Sequence, residues 1–147
     1  HRPFLKSFLS RYNQVGEGKK IWAVGYGNKS LKQLVELLHR SGVEEVVDIR
    51  AFPTSKREGF KKEELEKNLP LHGLSYFHLP ELGGYRKGGY RRFMKTKEFS
   101  LGMEKLERRA REKKVCLMCV EPLSSICHRR FVIEELKRRG WKVVELE

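Results

Sequence analysis

The stretch IWAVGYGNKSLKQLVELLHRSGVEEVVDIR, residues 21–50, predicts a strand, a helix and a second strand in succession. The apolar run over residues 21–26 ends in a glycine and an asparagine, as a buried strand entering a turn does. Ser30, with a glutamine three residues later, is a capping box for a helix that Gly42 can end. The apolar residues of that helix fall at helical spacing: Leu31, Leu34, Val35 and Leu38.

The same alternation continues to the end of the chain. Further helices are expected at 61–69, around Phe99 to Ala110, and at 125–139; further strands are expected at 74–79, 115–120 and 142–146. Alternating strands and helices favour an α/β fold, a mostly parallel sheet of about five strands with helices on both faces. We expect a single domain over 21–147, preceded by a basic arm or short helix over 1–20.

The charge of the chain points to a polyanionic partner. Its 147 residues include 32 Lys and Arg against 19 Asp and Glu, a formal net charge of +13. Adaptation to heat would add charges of both signs, so it does not account for the excess. The excess predicts a nucleic acid as the partner. There is no run of about 18 apolar residues and no apolar signal region, so we expect a cytoplasmic protein without a membrane partner.

The ends of the predicted strands carry the unusual polar residues. In parallel sheets the ligand site lies beyond the carboxyl ends of the strands, so these side chains are expected to converge there. They are Asn28, Asp48, Arg50, Glu81, Cys119, Glu121, Cys127, His128 and Arg129. Asp48 and Arg50 lie two residues apart on one face of a strand, so a structural ion pair and a catalytic carboxylate are equally open interpretations.

The segment from Cys119 to Arg129 is the most informative cluster. A helix that begins after Ser124 or Ser125 would direct its amides at the site, which favours an anion and lowers the pKa of a nearby thiol. A phosphate cradle and a Cys127 nucleophile remain open. The spacing matches no standard zinc site, so we expect no metal and no cofactor. Buried, inert thiols are the alternative for Cys116 and Cys119. A Cys119–Cys127 bridge becomes possible if the organism is a hyperthermophile.

A glycine-rich segment over 81–92 combines basic and aromatic residues. We expect its cations, Arg86, Lys87, Arg91 and Arg92, to contact phosphates while Tyr85 or Tyr90 stacks on a base. A solvated loop without function is the alternative.

Four motifs in order resemble the family called domain of unknown function 488. They are Val24-Gly25-Tyr26-Gly27-Asn28, Asp48-Ile49-Arg50 with Phe52-Pro53, Leu79-Pro80-Glu81-Leu82-Gly83-Gly84, and Cys119-Val120-Glu121 with Cys127-His128-Arg129. The resemblance runs from about Ile21 to the end of the chain. It implies a compact α/β domain with these signature residues: Asn28, Asp48, Arg50, Glu81, Gly83, Gly84, Glu121, Cys127, His128 and Arg129. The first motif of the family often has His and Ser where this chain has Tyr26 and Gly27.

The resemblance also implies an activity. Its basic branch in heat-loving archaea is associated with DNA glycosylases for oxidised pyrimidines such as 5-hydroxycytosine. We therefore expect a glycosylase in which Asp48 or Glu121 stabilises oxocarbenium-like charge or activates water. Lys87 is the candidate for a Schiff base if strand nicking follows. The residues expected to bind substrate or phosphate are Asn28, Arg50, Glu81, Gly83, Gly84, Tyr90, Cys127, His128 and Arg129.

Three alternatives stay open from the residues. They are an enzyme acting on free nucleosides or nucleotides, a nucleic-acid-binding module without catalysis, and thiol chemistry at Cys127. The sequence leaves the oligomeric state undecided.

Overall fold

The computed structural model of the protein describes residues 19–123 and 127–147. Its strands are β1 (Lys20–Gly25), β2 (Glu45–Asp48), β3 (Ser75–His78), β4 (Val115–Cys119) and β5 (Lys142–Leu146). Its helices are α1 (Leu31–Ser41), α2 (Lys62–Asn68), α3 (Tyr90–Phe93), α4 (Lys97–Glu112) and α5 (Arg129–Arg138). Short 3-10 turns cover Pro70–His72 and Pro80–Leu82. Residues 1–18 of the predicted arm lie outside the described residues, and Lys20 already belongs to β1.

The five strands form one sheet in the order β3-β2-β4-β1-β5, and every neighbouring pair is parallel. The predicted α/β architecture is therefore confirmed, with a sheet that is parallel throughout. Side chains alternate between two apolar cores along each strand: Ile21 and Ala23 face one core, while Trp22 and Val24 face the other. Helices α1 and α2 contribute to one core, and α4 and α5 to the other.

The helices begin and end as predicted where the capping signals in the sequence are strong. Ser30 Oγ accepts the amide of Gln33, the Gln33 side chain accepts the amide of Ser30, and Gly42 ends α1 with a φ of 76°. The described part of the predicted helix 125–139 is helical from Arg129 to Arg138, while residues 124–126 lie outside the described residues. Within the described residues, no helix combines the length and apolar character needed to cross a membrane.

The glycine-rich segment was expected to be a continuous loop, and this expectation is wrong at its end. Tyr90 begins the short helix α3, and its ring packs against Phe93, Phe99 and Phe131. The Tyr90 hydroxyl donates to the carbonyl of Leu82 at 2.7 Å. Aromatic burial with a satisfied hydroxyl therefore turns this part of the segment into core.

The connections of the sheet create a crevice between β2 and β4. The chain leaves β2 through α2 for β3 at one edge of the sheet, and it leaves β4 through α5, on the other face, for β5 at the opposite edge. Neighbouring strands whose connections diverge in this way leave a gap beyond their carboxyl ends, which is where parallel sheets bind ligands.

Candidate functional site

A cavity of about 670 Å³ occupies this crevice. Its lining comes from three parts of the chain. The segment after β2 provides Arg50, Ala51, Phe52 and Thr54, and Gly84 and Tyr85 come from the glycine-rich segment. The end of β4 and the segment that follows it provide Cys119, Val120, Glu121, Cys127 and His128. The expected convergence of strand-end residues therefore occurs between β2 and β4, for part of the predicted set. The volume falls within the range of about 300–1,000 Å³ that is usual for small-molecule sites.

Asp48 does not line this cavity. Its carboxylate is completely buried and accepts two hydrogen bonds from the Arg50 guanidinium, from Nε at 2.8 Å and from Nη2 at 2.7 Å. The Tyr76 hydroxyl donates to the same carboxylate at 2.5 Å. Both carboxylate oxygens are occupied, so the structure places Asp48 in an ion pair rather than at a reacting centre.

Arg50 connects this ion pair to the cavity. Its Nη1 donates to the Tyr26 hydroxyl at 3.0 Å and to the carbonyl of Phe60 at 2.7 Å. Burial by itself would lower the pKa of the Arg50 guanidinium, but hydrogen bonding and the charge of Asp48 raise it overall. Burial and the Asp48 charge likewise raise the pKa of Tyr76. Arg50 is therefore a fixed cation on one wall of the cavity.

Cys119 and Cys127 form a pair of thiols on the opposite wall. Their Sγ atoms are 2.6 Å apart in a hydrogen-bonded contact, and both residues are buried except where they line the cavity. The hydrogen bond from Cys119 lowers the pKa of Cys127, assisted by His128 and by the amide of Arg129. The same hydrogen bond, together with burial, raises the pKa of Cys119. The pair therefore favours one thiolate, centred on Cys127.

His128 is held in one orientation beside this thiolate. Its Nε2 lies 3.1 Å from the carbonyl of Ile49, which can only accept, so Nε2 carries a proton. Its Nδ1 faces the Cys127 sulfur at 3.7 Å. Gly84 gives the ring room, since a Cβ on Gly84 would lie 3.1 Å from Nδ1. An imidazole fixed in this way can accept a proton from the thiol or donate one back.

Arg129 lies beneath the thiols, at the first position of α5. Its Nη1 donates to Cys119 Sγ at 2.8 Å and to the backbone carbonyl of Glu121 at 2.7 Å, and its buried Nε has no partner among the described residues. No carboxylate within the described residues pairs with this cation. Gly25 permits the arrangement, because a Cβ there would lie 1.7 Å from the Glu121 carbonyl oxygen.

Glu121 is the carboxylate that lines the cavity. It is exposed, and its side chain has no hydrogen bond or ion pair with any part of the chain that the structure describes. An unoccupied carboxylate at a cavity wall is free to act on a bound molecule.

Besides Asp48, four further predicted site residues do not line the cavity. Asn28 lies in a smaller depression of about 300 Å³ and accepts a hydrogen bond from Lys29, which is itself buried. Glu81 forms an ion pair with Lys105. Gly83 packs against Ala51, where a Cβ would lie 2.5 Å from its Cα. Tyr90 is buried in the core, so it is not available for stacking.

The basic segment divides into fixed and free cations. Arg86 donates to the carbonyls of Gly83, Pro80 and Glu81 and pairs with Glu98, while Arg91 pairs with Glu134. Lys87 and Arg92 are exposed and have no ion-pair partner in the described part of the chain; both line a groove of about 260 Å³ separate from the main cavity. Lys87 is therefore not placed to attack a molecule in the main cavity.

The sequence alone missed several residues of the site. Phe52 lines the cavity and is 73% exposed. Tyr85, one of the two tyrosines expected to stack on a base, also lines the cavity and is 96% exposed. Tyr85 has a positive φ of 60°, which is unusual for a non-glycine residue. In the sequence, the adjacent glycines were the signal for an unusual backbone conformation here. Thr54 also lines the cavity and carried no signal of its own.

Across residues 19–123 and 127–147, no group of three or more His, Cys, Asp or Glu side chains is placed to hold a metal ion.

The fold and site define a parallel α/β protein whose strand-end cavity holds a thiol pair opposite a fixed arginine. The chain belongs to the family described as "Domain of unknown function DUF488", whose model matches residues 30–136. One similar solved structure is described as "Putative phosphatase (DUF442)" from Shewanella putrefaciens CN-32. The two chains are 13% identical with a TM-score of 0.48, over 80% of this chain and 66% of that chain. No protein with a curated description matches the chain.

Proposed function

We propose that this protein is a DNA glycosylase that accepts a flipped, oxidised pyrimidine such as 5-hydroxycytosine in the cavity and hydrolyses its N-glycosidic bond. The observation that carries the proposal is the unpaired Glu121 carboxylate in the wall of a cavity of about 670 Å³. Enzymes that act on a base within duplex DNA extrude it into a pocket, because the reactive bond is buried in the base stack.

The walls of the cavity suit a flat heterocycle. Phe52 and Tyr85 offer exposed aromatic faces, and a base that leaves the duplex loses stacking that such faces can replace. Arg50 lines the cavity with its guanidinium already held by Asp48, Tyr26 and Phe60, so it helps to shape the wall that the base would contact.

In the proposed reaction Glu121 takes a proton from water as the water oxygen bonds to C1′ of the sugar. The bond between C1′ and the base breaks at the same centre, and the base leaves with its electron pair and receives the proton that Glu121 removed from the water, which regenerates the carboxylate. The Glu121 carboxylate also stabilises positive charge that develops on the sugar ring. We propose no Schiff-base step, since none of the lysines in the described part of the chain lines the cavity. Asp48 supports the reaction by holding Arg50 in place.

Two exposed cations support a DNA partner. Lys87 and Arg92 lie close along the chain to Tyr85, and the formal net charge of the chain is +13. Cations that contact phosphates release counterions, so duplex binding should weaken steeply as salt rises.

The test is incubation of the full chain with oligonucleotide duplexes, each carrying a single oxidised base, followed by alkaline cleavage at abasic sites. We expect strand breaks at an oxidised pyrimidine, and a loss of about 10²–10⁴-fold in rate for Glu121→Gln. Glu104→Gln, at an exposed glutamate that does not line the cavity, is the matched control and should retain the wild-type rate.

Other outcomes separate the remaining candidates. Intact strands across the whole panel would overturn the proposal. Activity on free nucleosides that persists at high salt would identify a nucleoside enzyme, since a small substrate needs few phosphate contacts. Duplex binding that is equal in wild type and Glu121→Gln, with no strand cleavage in either, would identify a binding module without catalysis.

A further inference from the structure

The proposed hydrolysis does not use the two thiols in the cavity wall. Cys119 and Cys127 come from the end of β4 and from the residues just before α5, and their sulfur atoms are in direct contact. We propose that Cys119 and Cys127 form a reversible dithiol–disulfide pair, a redox-modification site in the wall of the cavity. This inference goes beyond the proposed function and does not depend on it.

The surroundings of the pair favour the reactive form. Arg129 Nη1 donates to Cys119 Sγ at 2.8 Å, and the Arg129 amide donates to Cys127 Sγ at 3.4 Å. His128 Nδ1 lies on the other side of Cys127 at 3.7 Å. Hydrogen-bond donors and cations around a sulfur stabilise its thiolate, and the thiolate is the form that attacks an oxidant.

Access also favours the pair over the third cysteine. Both thiols of the pair line the main cavity, whereas Cys116 is completely buried in the core on the other face of the sheet. Burial raises the pKa of the Cys116 thiol, which keeps it protonated and inert. Oxidation should therefore select two of the three cysteines.

The oxidant in the proposed step is a hydroperoxide. The Cys127 thiolate attacks one peroxide oxygen, the O–O bond breaks, and hydroxide leaves, so that Cys127 becomes a sulfenic acid. The Cys119 sulfur then attacks the Cys127 sulfur, the S–O bond breaks, and water leaves with the proton from Cys119. Hydroxide takes up the proton that Cys127 released on ionising, so counted from the dithiol the protein loses two electrons and two protons, and hydrogen peroxide is reduced to two waters. A dithiol reductant reverses the change by thiol–disulfide exchange.

Oxidation would change the charge of the cavity. The thiolate pair is the anionic group that contacts Arg129, and the other acceptors of that guanidinium are the backbone carbonyls of Glu121 and Pro122. A disulfide carries no charge, so its formation leaves this buried cation without an anionic partner among residues 19–123 and 127–147.

The pair can be tested by counting thiols. The full chain is treated with a small excess of hydrogen peroxide, denatured, and alkylated, and its mass and peptides are measured. We expect three alkylated cysteines before oxidation and only Cys116 alkylated afterwards, with an intramolecular link between Cys119 and Cys127 that dithiothreitol reverses. In the native reduced protein, Cys127 should alkylate at least about tenfold faster than Cys116.

Single variants distinguish the pair from general oxidation. Cys116→Ala should form the same link as the wild type. Cys119→Ser should lose the link and accumulate oxygen on Cys127. Three alkylatable cysteines in the peroxide-treated wild type, or a link that involves Cys116, would overturn the proposal. The wild-type measurement is decisive even if a variant does not fold, and it needs no DNA, so its failure is distinct from a failure of the glycosylase assay.

Discussion

Arg50 and Arg129 are both buried near the carboxyl ends of neighbouring strands, but they have different partners. Arg50 is 4% exposed and pairs with the Asp48 carboxylate at two nitrogens. Arg129 is 2% exposed and contacts a thiol and backbone carbonyls. A carboxylate stays ionised at neutral pH, whereas the charge of a thiol depends on pH and on oxidation. The first arginine is therefore a fixed part of the structure, and the second has an environment that can change.

The largest expected effect comes from removing the carboxylate beside the first arginine. Asp48→Asn leaves the Arg50 cation buried without a counterion, so we expect a loss of about 3–5 kcal/mol in the free energy of unfolding, measured by urea denaturation. Glu66→Gln is the matched control, because it makes the same change in an exposed pair with Lys62 and should cost at most about 0.5 kcal/mol. Equal losses in the two variants would show that the buried pair has no special role.

The next largest loss of stability is expected when the space beside Arg129 is filled. Gly25→Ala places a Cβ against the Glu121 carbonyl and Arg129 Nη1, and backbone must move to relieve the contact. We expect a loss of about 3 kcal/mol in the free energy of unfolding, the upper end of the usual cost of overpacking.

Gly73→Ala separates this clash from backbone strain. Gly73 has a φ of 74° with open space around its missing Cβ, so the change should cost only about 1 kcal/mol. A Gly25→Ala protein as stable as the wild type would contradict the close approach at Arg129.

The smallest effect is a pH dependence of the free energy of unfolding that comes from Cys127, beside Arg129. The pKa of Cys127 is lowered in the folded protein, so below the unfolded thiol value of about 8.5 the unfolded chain binds a proton that the folded chain does not. The contribution of Cys127 to the free energy of unfolding should therefore rise with pH just below 8.5 and be lost as pH falls through the folded pKa.

The slope is limited to one proton, about 1.4 kcal/mol per pH unit. It should appear between pH 7 and about 8 in the wild type and be absent in Cys127→Ser, as measured by urea denaturation at each pH. Identical slopes in the two proteins would show that Cys127 is protonated in the folded state.

Much of the fold could be predicted because its signals are local. The strand at 21–26, the capping box at Ser30 and the glycine at 42 each depend on a few adjacent residues, and all agree with the structure. The structure of the glycine-rich segment was harder to predict. Its flexible composition favoured a loop, but Tyr90 packs against Phe99 and Phe131, and these contacts decide its helical end.

The location of the site could be predicted from the sequence, but the positions of its individual residues could be predicted less well. Parallel strands end at one edge of a sheet, so the meeting of Arg50, Glu121, Cys127 and His128 followed from the pattern. Asn28 follows β1 by the same rule but lies in a different depression. The strand order, which only long-range packing decides, places the crevice between β2 and β4.

By itself the sequence determined the alternation of strands and helices, the edge of the sheet where polar groups collect, and the net positive charge of the chain. The tertiary structure alone decided which of the two carboxylates is occupied. Tyr26 and Tyr76, more than 20 residues from Arg50 and Asp48, complete the partners of the buried pair, while Glu121 receives none within the described residues. Hydrogen-bond partners so distant along the chain leave no local pattern, because they meet only when the sheet has formed.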